Sequence, residues 1–167
     1  EIHHLLEIGH VQDTVLLEMR RVLGSLTSAV WAGMEYAGSA LWTRINHLKI
    51  AGDRAYCTFA NGLAVLDISD KKSIQLVSRL YLGGGADIEI RDSVAFIPVA
   101  DKGLAVVDIS DAKKPLLKNT LALAGSCSAI ALAGRYAYVA AGDAGMHVID
   151  LGQPLVPRLC QTIDTPD

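Results

Sequence analysis

The chain has 167 residues, of which 51% are hydrophobic and 20% are charged, and its formal net charge is −3. This length suits about one domain, and the apolar content excludes wholesale disorder. The sequence contains no run rich in Lys and Arg and no basic stripe interleaved with aromatic residues. We therefore expect no nucleic-acid binding.

Residues 1–44 form an N-terminal segment in which no regular repeat is recognisable. Residues 1–9 fit a strand with surface histidines, and apolar residues three and four apart predict a helix over 11–23. Residues 27–42 fit strands, which we favour, or a helix with a small residue at every fourth position. A transmembrane span is a weaker alternative because Glu35 lies in its middle. The segment is thus partly helical or a degenerate copy of the repeat that follows.

Residues 45–167 repeat a pattern with a spacing of 41 and then 42 residues. An apolar run begins after a glycine and ends at an aspartate in each copy, at Gly62 and Asp67, Gly103 and Asp108, and Gly145 and Asp150. A second phrase, which contains Tyr56, Phe96 and Tyr138, recurs in the same register. Two phrases in register indicate an internal structural repeat.

The second copy predicts four short strands, at 86–90, 94–100, 104–109 and 116–123, joined by polar turns. Such a unit is an antiparallel meander. Pro98 would interrupt a central strand, so we expect a bulge there. Four strands repeated every 40 to 45 residues or so are typical of a β-propeller blade. The predicted fold class is therefore all-β, with about three blades.

The runs LAVLD (63–67), LAVVD (104–108) and MHVID (146–150) resemble the LVIVD repeat. The resemblance covers residues 45–167, and the third copy departs most from the pattern. It implies β-propeller blades and an extracellular or periplasmic location, because proteins of this family are mostly exported or surface-attached. The resemblance implies no particular activity.

The residues that recur in every copy predict structural roles. An aspartate after a strand can accept hydrogen bonds from the amides of the next turn, which is the role we expect for Asp67, Asp108 and Asp150. We expect Gly62, Gly103 and Gly145 to form turns, and the aromatic residues at 56, 96 and 138 to pack in the core.

Residues that break the repeat are the better candidates for function. The loops expected at one mouth of the propeller offer six ligand-binding candidates: Asp87, Asp101, Ser126, Cys127, Asp143 and Asp164. Amides of the glycine-rich loop 83–85 are a further candidate, for an anion. The alternative is that all of these are turn residues without a ligand. We predict no catalytic residue, metal or cofactor, and we expect His147 to be a satisfied core histidine.

Three blades do not close a ring, since most propellers have four to eight or so. A degenerate fourth blade at the N-terminus, the remaining blades of a larger propeller, or further copies of the chain would each complete it. We favour the second. The predicted function is a non-enzymatic scaffold or protein-binding subunit of an exported or surface assembly. The alternatives are a hydrolase- or lyase-like enzyme acting at the propeller mouth, and a membrane-attached accessory subunit.

Overall fold

A computed structural model describes residues 44–164. The described residues belong to one compact unit of the chain. The predicted strand at 1–9, the helix at 11–23 and the strands at 27–42 lie outside the described residues. No helix in the described range is long and apolar enough to cross a membrane.

Residues 45–163 form three four-stranded antiparallel sheets, each made of consecutive strands. The first blade contains β1 (Ile45–Ala51), β2 (Arg54–Phe59), β3 (Gly62–Asp67) and β4 (Gln75–Tyr81). The second blade contains β5 (Glu89–Arg91), β6 (Val94–Val99), β7 (Gly103–Asp108) and β8 (Leu116–Leu121). The third blade contains β9 (Ala129–Ala133), β10 (Tyr136–Ala140), β11 (Met146–Asp150) and β12 (Arg158–Ile163). The predicted all-β fold, with three meanders, is confirmed.

The two middle strands of the first and second blades are buried on both faces, whereas the fourth strand is largely exposed. Continuous apolar runs suit a sheet that is covered on both sides. Polar residues in the fourth strand suit an outer edge that faces water. Burial thus follows the hydrophobic pattern of the repeat.

The pairing between the third and fourth strands shifts at the same position of every blade, after Val65, Val106 and Val148. One extra residue in the outer strand accounts for each shift, and these residues are Val77, Lys118 and Cys160. A bulge at a fixed position adds local twist to each blade.

Pro98 does not form the bulge expected from the sequence, because β6 and β7 pair without a shift from Val94 to Val99. The carbonyl of Pro98 accepts a hydrogen bond from Ala86, 3.0 Å away, on the side away from β7. The nitrogen of a strand residue points to the same side as its carbonyl. Since the pairing of β5 ends at Phe96, no ladder hydrogen bond is lost at Pro98.

Two apolar clusters join successive blades. We call the face that packs on the next blade the forward face, and the opposite face the rear face. Forward-face residues Tyr56, Leu63 and Val65 pack with rear-face residues that include Ala95, Ile97, Ala105 and Val107. At the next boundary, Phe96, Leu104 and Val106 pack with Ala137, Val139 and Ile149. Large side chains of one face therefore pack on a face that combines alanines with larger aliphatic residues.

A side-chain hydrogen bond recurs at the outer end of both boundaries. The Ser78 hydroxyl of β4 donates to the carbonyl of Ala112 in the second blade, at 2.6 Å. The Asn119 amide of β8 donates to the carbonyl of Leu155 in the third blade, at 3.3 Å. Ser78 and Asn119 pair with the equivalent residues Val65 and Val106. The polar contact therefore repeats with the blades.

Candidate functional site

The recurring aspartates lie at the end of the third strand of each blade and accept hydrogen bonds from the turn that follows. Asp67 accepts from the amide and the hydroxyl of Ser69, at 2.9 and 2.6 Å. Asp108 does the same with Ser110, at 3.0 and 2.7 Å. These serine hydrogen bonds are the main cause that lowers the pKa of both carboxyl groups. The carboxylates are thus engaged in the turns of their own blades.

In the third blade, the recurring aspartate accepts hydrogen bonds from a different set of donors. Gly152 stands where the other copies have serine, and its amide donates to Asp150 at 2.7 Å. The guanidinium of Arg135 donates to both carboxylate oxygens, with Nε 2.6 Å from Oδ1. This fork lowers the pKa of Asp150 to about 2, with a further contribution from the Gly152 amide. Arg135 therefore replaces the missing hydroxyl.

The two sets of loops expected at the propeller mouth come together at one end of the blades. In the connection from the first to the second blade, the amide of Leu82 donates to the carbonyl of Asn61 at 2.8 Å, and the carbonyl of Leu82 accepts from the ammonium of Lys102 at 3.2 Å. This connection therefore contacts a turn of each blade. In the connection from the second to the third blade, the amide of Cys127 donates to the carbonyl of Ala100, at 3.0 Å. We call this end the mouth.

The predicted ligand residues occupy different environments around the mouth. Asp101, Ser126, Asp143 and Asp164 are exposed. Cys127 is buried, and burial raises the pKa of its thiol. Asp87 is nearly covered and links blades rather than facing solvent. The six candidates therefore differ in exposure, and ligand binding by them stays a prediction.

The innermost strands carry two side-chain contacts between blades that sequence reasoning missed. Nδ1 of His47 in β1 lies 2.7 Å from Oδ1 of Asp87, just before β5. Two residues further along, the ammonium of Lys49 lies 2.8 Å from Glu89. Side chains two apart in a strand share a face. The inner edges of the first and second blades are thus joined by an imidazole–carboxylate contact and a lysine–glutamate ion pair.

Asp87 also reaches the third blade, since its Oδ2 accepts the amide of Ile130 at 3.0 Å. Its Oδ1 accepts the amide of Ile88 at 2.7 Å. One carboxylate therefore holds the inner ends of three blades together. Alternation of strand residues could have suggested Lys49 and Glu89 as neighbours of His47 and Asp87, once the blades were aligned.

His147 is buried, and both ring nitrogens have partners. Nε2 lies 2.8 Å from the carbonyl of Ala124, and Nδ1 lies 2.9 Å from the hydroxyl of Thr162. A carbonyl can only accept, so Nε2 carries a proton and donates to it. Within residues 44–164, no three potential metal ligands gather at one point.

The family model for the LVIVD repeat matches residues 45–81, 83–122 and 124–165. This chain belongs to the LVIVD repeat family. The three matches coincide with the three blades, so each LVIVD repeat is one four-stranded sheet. The resemblance inferred from the sequence is confirmed. No curated protein sequence matches the chain.

Several solved structures resemble the LVIVD blades. The computationally designed protein Ika4 is 17% identical, with a TM-score of 0.60, and the match covers 74% of each chain. For the designed protein Ika8, the identity is 18% and the TM-score 0.58, over 72% of this chain and 36% of that one. Kluyveromyces lactis Hsv2 is 12% identical, with a TM-score of 0.50, over 73% and 37%. This chain thus spans little more than a third of Ika8 and Hsv2. At these identities the likeness concerns the fold alone.

The forward face of the third LVIVD blade differs from the other two in its exposure. It carries Tyr136, Tyr138, Met146, Val148 and Ile163. Tyr136 is 39% exposed and Ile163 is 37% exposed, while Tyr138, Met146 and Val148 are half-buried. At the equivalent positions of the second blade, Phe96, Leu104 and Val106 are fully buried. This face is the candidate interaction surface of the chain.

Proposed function

We propose that this LVIVD-repeat chain is a non-enzymatic protein-binding module, a scaffold or subunit of a larger exported or surface assembly. The observation that carries the proposal is the forward face of the third blade. It carries the same types of apolar residue as the forward faces of the first and second blades, which are packed against the next blade. The side chains of the third forward face are partly exposed instead. An exposed contiguous apolar face in a protein often marks an interaction site.

The polar residues of the blades support a structural role over a catalytic one. The three recurring aspartates are held by turn amides, serines and Arg135. Asp87 is held by two amides and His47. The exposed carboxylates Asp101 and Asp143 lie in turns of different blades. The exported or surface location rests on the resemblance to the LVIVD family.

The test is co-purification of the tagged full chain from the organism that encodes it, with each recovered protein quantified by mass spectrometry. Val148→Asp puts a charge in the centre of the open face. Val156→Asp is the matched control, because Val156 is 50% exposed in a turn of the same blade. We expect a partner to be retained by the control and its recovery to fall at least about tenfold with Val148→Asp.

Circular dichroism would establish that both variants fold. Equal recovery of every protein with the two variants would overturn the binding role of this face. A catalytic turnover abolished by Asp87→Ala or Asp101→Ala in folded protein would overturn the non-enzymatic assignment. Cell fractionation tests the location, and recovery of the chain in the cytoplasm alone would contradict it.

A further inference from the structure

We propose that the end of the blades opposite the mouth is a contact surface for an anionic lipid membrane. We call it the far end. It contains the turn between the third and fourth strands of each blade, at 68–74, 109–115 and 151–157. These turns lie away from the mouth because neighbouring strands of a blade run in opposite directions. The surface is distinct from the forward face of the third blade, so the inference goes beyond the proposed function and does not rest on it.

The three turns share one backbone geometry and differ in the side chains at their tips. The amides of Ser73, Lys114 and Val156 each donate to the carbonyl three residues earlier, at 3.1, 2.9 and 2.9 Å. The tip of each turn consists of that residue and the one before it: Lys72 and Ser73, Lys113 and Lys114, and Leu155 and Val156. All six are exposed.

The first two turns carry four exposed lysines: Lys71, Lys72, Lys113 and Lys114. Within residues 44–164, no acidic side chain lies within ion-pair distance of these ammonium groups. The adjacent carboxylates of Asp70 and Asp111 accept the turn amides of Lys72 and Lys113, both at 2.9 Å. The ammonium groups are thus available to anions outside the blades.

The other ionised groups of the far end balance one another. Three ion pairs engage the recurring aspartates: Arg54 with Asp67, Lys118 with Asp108, and Arg135 with Asp150. Two further arginines, Arg91 and Arg158, equal in number the aspartates of the turns between first and second strands, Asp53 and Asp92. The four lysines outnumber the two aspartates that remain. The far end is therefore cationic, although the chain has a net charge of −3.

The third turn has an apolar tip where the others have charged or polar ones. Leu155 is 41% exposed and Val156 is 50% exposed. Pro154 and Pro157 flank them and restrict the backbone of the turn. The Asn119 amide of the second blade also donates to the carbonyl of Leu155, at 3.3 Å. The two apolar side chains are therefore held in an exposed turn that contacts the second blade.

A further blade packed on the third would not cover these side chains. The second blade has a neighbour on each side, yet its tip residues Lys113 and Lys114 are exposed. Leu116, at the start of β8, is 43% exposed as well. The exposure of Leu155 and Val156 is thus independent of what lies on the forward face of the third blade.

The composition of the far end favours a lipid surface over a protein partner. Lysine is depleted at protein interfaces, where aromatic residues and arginine contribute most of the binding energy. The three turns contain four lysines and no aromatic residue or arginine. Lysines are attracted to anionic headgroups, and apolar side chains beside them enter the boundary between headgroups and acyl chains. Tips of successive turns can also contact one flat surface together.

The test is sedimentation of the purified full chain with vesicles. One set contains phosphatidylcholine and phosphatidylglycerol in equal parts, and the other contains phosphatidylcholine alone. We expect binding to the anionic vesicles that weakens as salt is added, because salt screens the attraction. Binding to the neutral vesicles should be at least about tenfold weaker.

Lys113→Glu should lower the partition coefficient on anionic vesicles by about tenfold or more, because it exchanges an attractive charge for a repulsive one. Lys102→Glu is the matched control, since Lys102 is an exposed lysine of the same blade at the mouth. Screening limits the reach of a surface charge to about 10 Å, so this variant should change binding by less than about twofold.

Val156→Asp tests the apolar tip and should also lower the partition coefficient, by about tenfold. Val148→Asp, on the forward face of the third blade, introduces the same charge and should change it by less than about twofold. The two variants therefore exchange roles between this experiment and the co-purification. Circular dichroism would establish that every variant folds.

Absence of binding to the anionic vesicles, or equal binding to both sets, would overturn the inference. Equal losses for Lys113→Glu and Lys102→Glu would also overturn it, because the far end would then have no special role. A protein recovered with the native chain and lost with Lys113→Glu, without vesicle binding, would identify the far end as a protein interface instead. The proposed function is tested separately, by the recovery of a partner with Val148→Asp.

Discussion

The imidazole of His47 and the carboxylate of Asp87 meet at 2.7 Å, 40 residues apart in the sequence, where the inner edges of the first two blades come together. The same carboxylate accepts the amide of Ile130, in the third blade. A single side chain thus takes part in both blade boundaries. Asp87 differs from the recurring aspartates because its carboxylate links three blades of the same chain.

Asp87→Ala should lower the free energy of unfolding by about 2–3 kcal/mol, because it leaves the amides of Ile88 and Ile130 without their acceptor. Asp87→Asn keeps an acceptor oxygen and should lose about half as much. Urea denaturation followed by circular dichroism measures both. Asp101→Ala, in an exposed turn, is the control and should change stability by less than about 0.5 kcal/mol. Equal stability of the two alanine variants would mean that Asp87 does not join the blades.

The turn glycine of the second blade gives a second prediction. Gly103 has a φ of +97°, and a Cβ added there would lie 2.2 Å from the carbonyl oxygen of Leu121 in the neighbouring strand. Gly103→Ala should therefore destabilise the protein by about 2–4 kcal/mol, through backbone strain and a clash with backbone atoms.

Gly134→Ala is the matched control for this substitution. Gly134 also has a positive φ, +53°, but a Cβ added there would meet nothing within 4 Å. We expect a loss of about 1 kcal/mol at this position, from the left-handed conformation alone. Thermal unfolding compares the two variants, and similar losses would show that the close approach at Gly103 is unimportant.

The period of the sequence predicts the blades because each strand is specified locally, by its apolar run and the turn after it. Turn contacts of Asp67 with Ser69 are equally local, only two residues apart. The contact of Asp87 with His47 depends on how neighbouring blades align, which spacing within one repeat does not reveal. The prediction of a bulge at Pro98 is wrong. The pairing of β5 ends at Phe96, and the sequence does not show where that pairing ends. Local rules therefore recover the sheets and miss the contacts between them.

Asp150 gives a prediction for pH. Arg135 and the Gly152 amide lower its pKa to about 2 in the folded protein, below the usual value of 3.8. A depressed pKa stabilises the fold above the unfolded value, and this contribution is lost as the pH falls from about 4 through about 2. Arg135→Ala should raise the pKa of Asp150 towards its usual value and weaken the acid dependence in this window.

Carboxyl titration by nuclear magnetic resonance measures this change. Lys118→Ala is the control, since Lys118 contacts Asp108 at 3.3 Å but is not the main cause of the lowered pKa of Asp108, which is Ser110. The pKa of Asp108 should therefore move less than that of Asp150. An unchanged Asp150 titration in Arg135→Ala would contradict the role of the guanidinium.

The next prediction is that replacing His147 with the residue common to the other two blades destabilises the protein. The other blades have Ala64 and Ala105 at this position, so His147→Ala restores the common residue. It should nevertheless destabilise the protein by about 2–4 kcal/mol, because it opens a cavity and leaves the carbonyl of Ala124 without its donor. Thr162→Val removes the other partner of the ring and should cost about 1 kcal/mol.

Urea denaturation of His147→Ala, Thr162→Val and the double variant would separate the two contacts. In the double variant the loss should be smaller than the sum of the single losses, because both substitutions break the same hydrogen bond. A stabilised His147→Ala would mean that the repeat's alanine packs better here than the histidine and its partners. In that case the departure of the third blade from the repeat would need a reason outside the stability of the fold.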